Sequence, residues 1–296
     1  MSETAPWKIV SFYRFLPLAG SELGAIQERW KELLAENGIL GLMLLAEEGV
    51  NATLAGSPEA MDMVMRALCD EFSIPVERLK ESFSRARPFK RLSVEVRSEI
   101  VTLKRPDLVP QDQDSSHLSP EEWHQLLLGE EEKIVIDTRN SFEIAAGRFP
   151  GAIDPGLTSF SEWGEYLDSA LIPRDKTVMI YCTGGIRCEK AILEMRARGF
   201  EKVYQLQDGI LGYFEKVPGG LFEGECFVFD DRVAVDQDLK PTQKFGICPG
   251  CGLTGSIPKT CERCQVGYFV CDSCKSTWGT LCSKACKSQV KKFRVS

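Results

Sequence analysis

The sequence predicts a multidomain protein of the α/β and α+β classes, with an N-terminal α+β unit, a central α/β unit and a small Cys-rich module. Two successions of strands and helices in different order occupy residues 1–105 and 118–222, and eight of the 12 cysteines lie between Cys248 and Cys286. At 296 residues the chain can form two or three domains with cores of their own. We predict a linker at 106–117, a connecting segment at 223–240 and the Cys-rich module at 241–296.

The N-terminal unit follows the order strand, helix, strand, strand, helix, strand. Strands are predicted at 8–16, 39–47, 49–54 and 91–97. We expect Ser21 to cap the first helix, which ends near Asn37-Gly38. The second helix has Ser57 as its N-cap and Pro58 at its first position, and it extends to about Phe72. The order βαββαβ predicts a ferredoxin-like fold.

The central unit contains the pattern of an active-site loop built around a sulfur nucleophile. An apolar strand at 178–181 leads into Cys182-Thr183-Gly184-Gly185-Ile186-Arg187, and a helix begins near Cys188. Backbone N–H groups at a helix N-terminus and a neighbouring guanidinium both favour the thiolate, which is the reactive form of cysteine. The catalytic candidates are Cys182, Arg187 and Cys188, and the candidate loop residues are Thr183, Gly184, Gly185 and Ile186.

The spacing within this loop separates two chemistries. Four residues lie between Cys182 and Arg187, one fewer than in the phosphate-binding loop of tyrosine phosphatases, so the tighter ring favours sulfur chemistry. Cys188 has two interpretations at this point. It supplies a second thiol for disulfide or persulfide exchange, or it packs on the inner face of its helix.

The central unit resembles the rhodanese family over about a hundred residues. Beyond the loop, the resemblance rests on Asp137-Thr138-Arg139 after a short apolar strand, followed by Phe142-Glu143 and Gly151-Ala152. It implies an α/β unit with a parallel sheet. For Asp137, Arg139 and Glu143 we predict a buried charge network that supports the loop. The segment Ser119-Pro120-Glu121-Glu122 has the pattern of a capping box and predicts the first helix of this unit.

The Cys-rich module has the ligand spacing of metal sites. Its cysteines form four close pairs: Cys248 and Cys251, Cys261 and Cys264, Cys271 and Cys274, and Cys282 and Cys286. Eight thiolates complete two tetrahedral zinc sites, which would be closed and structural. Disulfides and an iron–sulfur centre are the alternatives. Sequential and interleaved pairing both fit the spacing, and the short intervals between pairs favour interleaving.

The net charge of −7 conceals two basic windows. Residues 78–105 carry nine Lys or Arg against three Glu, and residues 241–296 carry nine against two acids. A polyanion such as RNA would be guided to these faces, although an ordinary solvated surface is an equal alternative for either window alone. The candidate RNA-binding residues are Arg85, Arg87, Lys90, Arg91, Lys287, Lys291, Lys292 and Arg294.

Several classes of protein and site are excluded or disfavoured. The chain has no apolar run that could span a bilayer and no signal-peptide pattern, so we expect a cytoplasmic protein without a membrane partner. With His117 and His124 as its two histidines, it is poorly supplied for a histidine-bound iron or a Ser-His-Asp triad. No flavin or nicotinamide fingerprint is present, and the oligomeric state is left open.

Three motifs together resemble the bacterial rhodanese-like tRNA uridine hydroxylases over residues 7–240. They are the segment 46–56 (AEEGVNATLAG), the loop CTGGIRCEKA and the segment 224–235 (GECFVFDDRVAV). The resemblance implies that molecular oxygen hydroxylates C5 of the wobble uridine in tRNA to give 5-hydroxyuridine, with Cys182 as the essential residue. The eight-Cys tail is an extension that shorter family members lack. A sulfurtransferase acting through a Cys182 persulfide and a non-catalytic RNA- or protein-binding zinc module on a rhodanese scaffold remain as alternative functions.

Overall fold

The computed structural model describes residues 6–111 and 116–293, and side chains as far as residue 288. The predicted fold class is confirmed. The N-terminal unit consists of β1 (Trp7–Phe15), α1 (Leu23–Glu36), β2 (Leu40–Ala46), β3 (Gly49–Gly56), α2 (Pro58–Phe72), β4 (Lys80–Ser84) and β5 (Leu92–Val96). Its strands form one sheet in the order β4-β1-β3-β2-β5. Both helices cover one face of the sheet, where alternate residues such as Val10 and Phe12 enter the core with Trp30 and Phe72.

Two details of this unit differ from the prediction. The fourth strand of the ferredoxin-like order is β4, which the sequence analysis missed, and the predicted strand at 91–97 is β5, which lies parallel to β2 at the other edge. The sequence Lys80-Glu81 carries two charges because β4 is a partly exposed edge strand, so it lacks an apolar run. Ser21 is not the N-cap of α1, which begins at Leu23 after Glu22 without a side-chain cap. The Ser57 cap of α2 is present.

The central unit is a four-stranded parallel sheet between two apolar cores. Its elements are β6 (His117–Leu118), α3 (Pro120–Leu128), β7 (Lys133–Asp137), α4 (Ser141–Ile144), β8 (Gly147–Arg148), α5 (Trp163–Ser169), β9 (Thr177–Tyr181), α6 (Ile186–Ala197), β10 (Val203–Leu206) and α7 (Gly209–Lys216). The sheet order is β6-β10-β9-β7, and the predicted capping box of Ser119 and Glu122 is present. In β9, Val178 and Ile180 face one core while Met179 and Tyr181 face the other.

The connecting segment ties the two units together. It contains the short strands β11 (Glu223–Gly224), β12 (Cys226–Phe227) and β13 (Ala234–Val235). The backbone N–H of Asp231 donates to the Pro88 carbonyl at 2.8 Å, and the guanidinium of Arg232 donates to the Ser82 hydroxyl at 2.9 Å. Phe229 and Arg232 of this segment also line a cavity, together with residues of the N-terminal sheet and of the loop after β9.

The C-terminal module is built from two hairpins and a helix. Its elements are β14 (Gly246–Ile247), β15 (Thr254–Gly255), β16 (Ile257–Thr260), β17 (Gly267–Val270) and α8 (Lys284–Phe293). Strands this short bury little apolar surface, so the module needs additional stabilisation. Among the described residues, no helix is both long enough and apolar enough to cross a membrane.

Candidate active site

The predicted loop lies between the end of β9 and the start of α6, with its cysteine aimed at a helix N-terminus. The backbone N–H of Gly185 donates to the Cys182 Sγ at 3.1 Å. Gly185 has a φ of +101°, and a Cβ there would stand 2.8 Å from the Tyr13 hydroxyl of the N-terminal unit. Glycine is needed at this position both for its backbone conformation and for the close approach of Tyr13.

The pKa values of Cys182 and Cys188 are shifted in opposite directions. Burial alone would raise the pKa of Cys182, but the Cys188 thiol, the Arg187 guanidinium and the backbone N–H groups at the start of α6 lower this pKa to about 6. Burial and the neighbouring Cys182 sulfur raise the pKa of Cys188 well above its ordinary value. Near neutral pH the pair therefore holds one thiolate, on Cys182, and one thiol, on Cys188.

Arg187 is fixed by a buried carboxylate. Its guanidinium donates to both oxygens of Glu143, at 2.6 and 2.8 Å, and the ring of Phe229 lies 5.8 Å from its central carbon. Burial opposes ionisation of Glu143, yet the Arg187 charge holds the pKa of this carboxyl below its usual range. Because the guanidinium donors face Glu143, the Arg187 side chain acts on Cys182 through its charge.

A second buried ion pair lies beneath the loop. The Arg139 guanidinium donates to Asp137 at 2.9 and 2.7 Å and to the Gly147 carbonyl at 2.6 Å, and both charged residues are fully buried. Asp137 ends β7, the neighbour of β9, so the pair stands at the same sheet edge as the loop. The structure thus brings Asp137, Arg139 and Glu143 together around the loop as two ion pairs.

The structure also contains a polar network that the sequence analysis missed. Glu189, in the first turn of α6, accepts hydrogen bonds from the Tyr13 hydroxyl at 2.9 Å and from the Gln205 amide at 2.9 Å, and it lies 3.0 Å from the His117 Nε2. Burial opposes its ionisation, but these three partners lower the pKa of Glu189. No local sequence pattern predicts this network, because Tyr13 and Glu189 are 176 residues apart in sequence.

One residue further along α6, a buried lysine links the same two units. The Lys190 Nζ lies 2.7 Å from Glu48 and 2.7 Å from Glu99, and its side chain is fully buried. Glu99 also accepts hydrogen bonds from the backbone N–H groups of Leu103 and Lys104. The loop and the first turns of α6 are therefore held by residues of the N-terminal unit.

Together these elements enclose a cavity of about 450 Å³. Its wall combines Cys182 and the loop with the free face of the N-terminal sheet and the connecting segment. The N-terminal residues at its wall include Ser11, Tyr13, Asn51 and Thr53, and the connecting segment contributes Phe229 and Arg232. A volume of this size accepts one small molecule or one flipped nucleoside, and a nucleic-acid duplex is too wide for it.

Comparison with known proteins agrees with this architecture. Residues 7–100 match the model of the UPF0176 acylphosphatase-like domain, 119–216 that of the rhodanese-like domain and 223–287 that of the rhodanase C-terminal region. A tRNA uridine(34) hydroxylase of Bdellovibrio bacteriovorus is 42% identical across 99% of this chain and 84% of its own length. The chain belongs to the tRNA uridine(34) hydroxylase family.

Two further relatives of this tRNA uridine(34) hydroxylase family member are similar over most of the chain. A tRNA uridine(34) hydroxylase of Synechocystis is 39% identical over 92% of this chain and 97% of its own length. One from Legionella pneumophila is 42% identical over 78% of this chain. The solved rhodanese-like domain of an Anabaena protein matches 38% of this chain and 80% of its own, with a TM-score of 0.32 and 21% identity.

In this family member the eight tail cysteines form two groups of four. Cys248, Cys251, Cys271 and Cys274 form one group, and Cys261, Cys264, Cys282 and Cys286 form the other. This is the interleaved arrangement that the spacing favours. The sulfur atoms of Cys251 and Cys271 are 3.6 Å apart, and so are those of Cys264 and Cys282. A tetrahedral zinc with Zn–S bonds of about 2.3 Å places its sulfurs about 3.8 Å apart, whereas a disulfide holds them at about 2 Å.

Of the predicted basic residues, those with described side chains do not line the cavity. Arg85, Arg87, Lys90 and Arg91 are exposed in the loop between β4 and β5, close to Phe89, which lines the cavity. In the C-terminal module, the Lys287 ammonium lies 3.5 Å from the centre of the Trp278 ring. Lys291, Lys292 and Arg294 fall outside the residues whose side chains the structure describes.

The lowered pKa of Cys182 predicts that its alkylation has a midpoint at low pH. The rate at which iodoacetamide modifies Cys182 should rise with a midpoint near pH 6, because the thiolate is the reacting species. Quantitative mass spectrometry of the modified peptides measures this rate, and Cys69 in the same digest is an internal control, since burial and Asp70 raise its pKa. A midpoint for Cys182 at or above that of Cys69 would show that the loop does not stabilise the thiolate.

Proposed function

We propose that this protein hydroxylates uridine 34 of tRNA, with Cys182 as the reactive group and molecular oxygen as co-substrate. The observation that carries the proposal is the position of Cys182, whose thiol has a lowered pKa and lies on the wall of a cavity between the N-terminal and central units. The relatives of this chain are named for the same activity. Since tRNA is the substrate, we place the reaction in the cytoplasm.

The shape of the cavity supports a flipped base as its occupant. Cys182 is 1% exposed, so a wobble base stacked within the anticodon loop would not reach its sulfur. Single-stranded bases are splayed out of the stack by RNA-binding enzymes and recognised at their edges. Ser11, Asn51 and Thr53 of the N-terminal sheet line the same cavity as Cys182. The Ser11 and Thr53 hydroxyls are hydrogen-bonded to each other at 2.9 Å, and hydroxyl and amide oxygens have further acceptor capacity for the polar edge of uracil.

Nucleoside mass spectrometry of tRNA from a deletion strain tests the proposal. The strain should lack 5-hydroxyuridine and its derivatives, and the wild-type gene should restore them. Loss of a thiolated nucleoside instead would favour sulfur transfer through a Cys182 persulfide. An unchanged nucleoside profile would contradict both enzymatic functions and favour a binding module.

We further propose that the two cysteine groups hold two structural zinc ions. All four sulfurs of each group lie within 4.8 Å of one another, which fits a single ion. A Cβ at Gly250 would stand 2.8 Å from the Cys274 sulfur, so the knuckle requires glycine. An iron–sulfur cluster occupies more space between its cysteines than a single ion does. Zinc would supply the stabilisation that the small hairpins lack.

Zinc content tests this arrangement. The purified protein should contain about two zinc ions per chain, and elemental analysis measures them. The double variant Cys251→Ala and Cys271→Ala should keep about one ion, because both residues belong to the same group. Sequential pairing would divide them between the two sites, so loss of both ions in this variant would contradict the interleaved arrangement. Bound iron in place of zinc would contradict the choice of metal.

For tRNA binding we propose that the two basic faces act together. The β4–β5 loop and the beginning of the C-terminal module lie side by side, since Arg85 and Ala86 share a shallow depression with Pro241 and Gln243. Phosphate groups that follow this surface would pass close to Phe89, which lines the cavity. Lysine and arginine on phosphates position RNA, and the choice of base depends on contacts inside the cavity.

Neutralising the first face should weaken tRNA binding. A variant with Arg85, Arg87, Lys90 and Arg91 changed to Gln should bind all tRNAs more weakly, and the slope of log affinity against log salt should flatten by roughly one for each lost phosphate contact. Filter binding over a salt series measures both quantities. The control changes Lys31, on α1, and Lys176, before β9, to Gln and should leave them unchanged. Equal affinity and slope in the loop variant would remove this face from the RNA footprint.

A further inference from the structure

We propose that Cys182 and Cys188 are the internal two-electron donor of the hydroxylation. This inference rests on the proposed function, and it supplies what that reaction needs beyond oxygen and RNA. When one atom of dioxygen enters a C–H bond, the other atom must leave as water, which takes up two electrons and two hydrogens from a reductant. Two neighbouring thiols that become a disulfide release that number of electrons and hydrogens.

The fold places one thiol on the cavity wall and the other in the same buried cluster, away from the wall. Cys182 forms part of the cavity wall, whereas Cys188 is fully buried in the first turn of α6. Cys182 and Cys188 belong to the same buried cluster, the Cys188 thiol lowers the pKa of Cys182, and the Thr138 hydroxyl lies 3.6 Å from the Cys188 sulfur. A nearby third thiol does not share this arrangement, because Cys226 faces the carbonyl of Phe227 at 3.5 Å.

The different protonation states of the two cysteines fit a sequence in which Cys182 reacts first and Cys188 then resolves the oxidised sulfur. Arg187 and the N–H groups of α6 stabilise negative charge on Cys182, which therefore reacts first. Cys188 keeps its proton and its burial protects it from oxidants in the cavity. It becomes a nucleophile only when the Cys182 sulfur is converted into an electrophile beside it.

The chemistry balances in two steps. In the first step the O–O bond breaks: one oxygen atom enters the C5–H bond of uracil and gives the C5 hydroxyl, and the other is added to the Cys182 thiolate, which takes up one proton from water to become a sulfenic acid. In the second step the Cys188 sulfur attacks the Cys182 sulfur, an S–S bond forms and the S–O bond breaks. The hydroxyl leaves with the Cys188 proton as water. An external dithiol then returns the pair to the reduced state for the next turnover.

A reductant-free turnover tests the inference. The full-length protein is reduced, freed of reductant under argon and mixed in air with an anticodon stem-loop RNA. The wild type should form about one 5-hydroxyuridine per chain, with a Cys182–Cys188 disulfide in the peptide mass spectrum, and added dithiothreitol should allow repeated turnover. In Cys188→Ser, dimedone should trap a sulfenic acid on Cys182 that appears only with both RNA and air. Cys226→Ser should behave like the wild type.

Three results would overturn it. Many 5-hydroxyuridines per chain without reductant would show that the electrons come from elsewhere. Product formation with both thiols still reduced would exclude them as the donor. Failure of Cys188→Ser to accumulate dimedone-reactive Cys182 while it forms product would remove the sulfenic acid step. If the wild type forms no 5-hydroxyuridine even with dithiothreitol, the proposed function itself is wrong, and this inference falls with it.

Discussion

Replacement of Cys182 by serine lowers hydroxylation of the wobble uridine by roughly a thousandfold or more and leaves the fold intact. Serine has nearly the volume of cysteine, so the buried site keeps its packing, but its hydroxyl does not ionise near neutral pH and cannot be oxidised to a sulfenic acid. The measurement is the amount of 5-hydroxyuridine in tRNA from a deletion strain that carries only the variant, together with the thermal midpoint of the purified protein.

Cys69→Ser is the matched control for this prediction. Cys69 is a partly buried cysteine on α2 of the N-terminal unit, and it does not line the cavity. It should retain normal modification. Near-normal 5-hydroxyuridine in cells with the Cys182 variant would contradict the assignment of the reactive group.

Replacement of Lys190 by methionine should destabilise the protein by about 3–5 kcal/mol. Methionine fills a similar volume, but Glu48 and Glu99 would remain buried next to each other without the ammonium that lies 2.7 Å from each of them. The change would also loosen the first turns of α6, and activity should fall with stability. Urea unfolding followed by circular dichroism measures the free energy.

Two further variants separate the charge from the packing. The triple variant Glu48→Gln, Glu99→Gln and Lys190→Met should recover much of the lost stability, since it leaves no unpaired charge. Lys176→Met removes an exposed ion pair with Glu132 and should have no measurable effect. A Lys190→Met protein as stable as the wild type would show that this buried lysine does not hold the two units together.

The features that the sequence predicted are those that depend on neighbouring residues. Each of these features has its signal within a few consecutive residues. They are the strand that leads into Cys182, the helix caps at Ser57 and Ser119, and the cysteine pairs of the tail. Their physical signals are an apolar run, a hydroxyl that accepts a helix N–H and the spacing of a zinc knuckle. Such signals need no knowledge of the tertiary structure.

The features that the sequence analysis missed arise from the contact between the two units. The partner of Glu189 is Tyr13 on β1, and the partners of Lys190 are Glu48 and Glu99. In the sequence these residues resemble ordinary polar positions on a helix or strand, because burial and pairing exist only after the units meet. The edge strand β4 was missed for a related reason: it carries charged residues that face solvent or pair with another element, as Lys80 does with Asp208.

The most direct test of the account is turnover of the purified, reduced protein with an anticodon stem-loop RNA under ¹⁸O-labelled dioxygen, followed by nucleoside mass spectrometry. The account predicts that wild-type protein forms 5-hydroxyuridine with the label in its C5 hydroxyl, and that Cys182→Ser forms none. A hydroxyl that takes its oxygen from water, or equal product from both proteins, would contradict a Cys182-dependent, oxygen-consuming hydroxylation in the cavity between the two units.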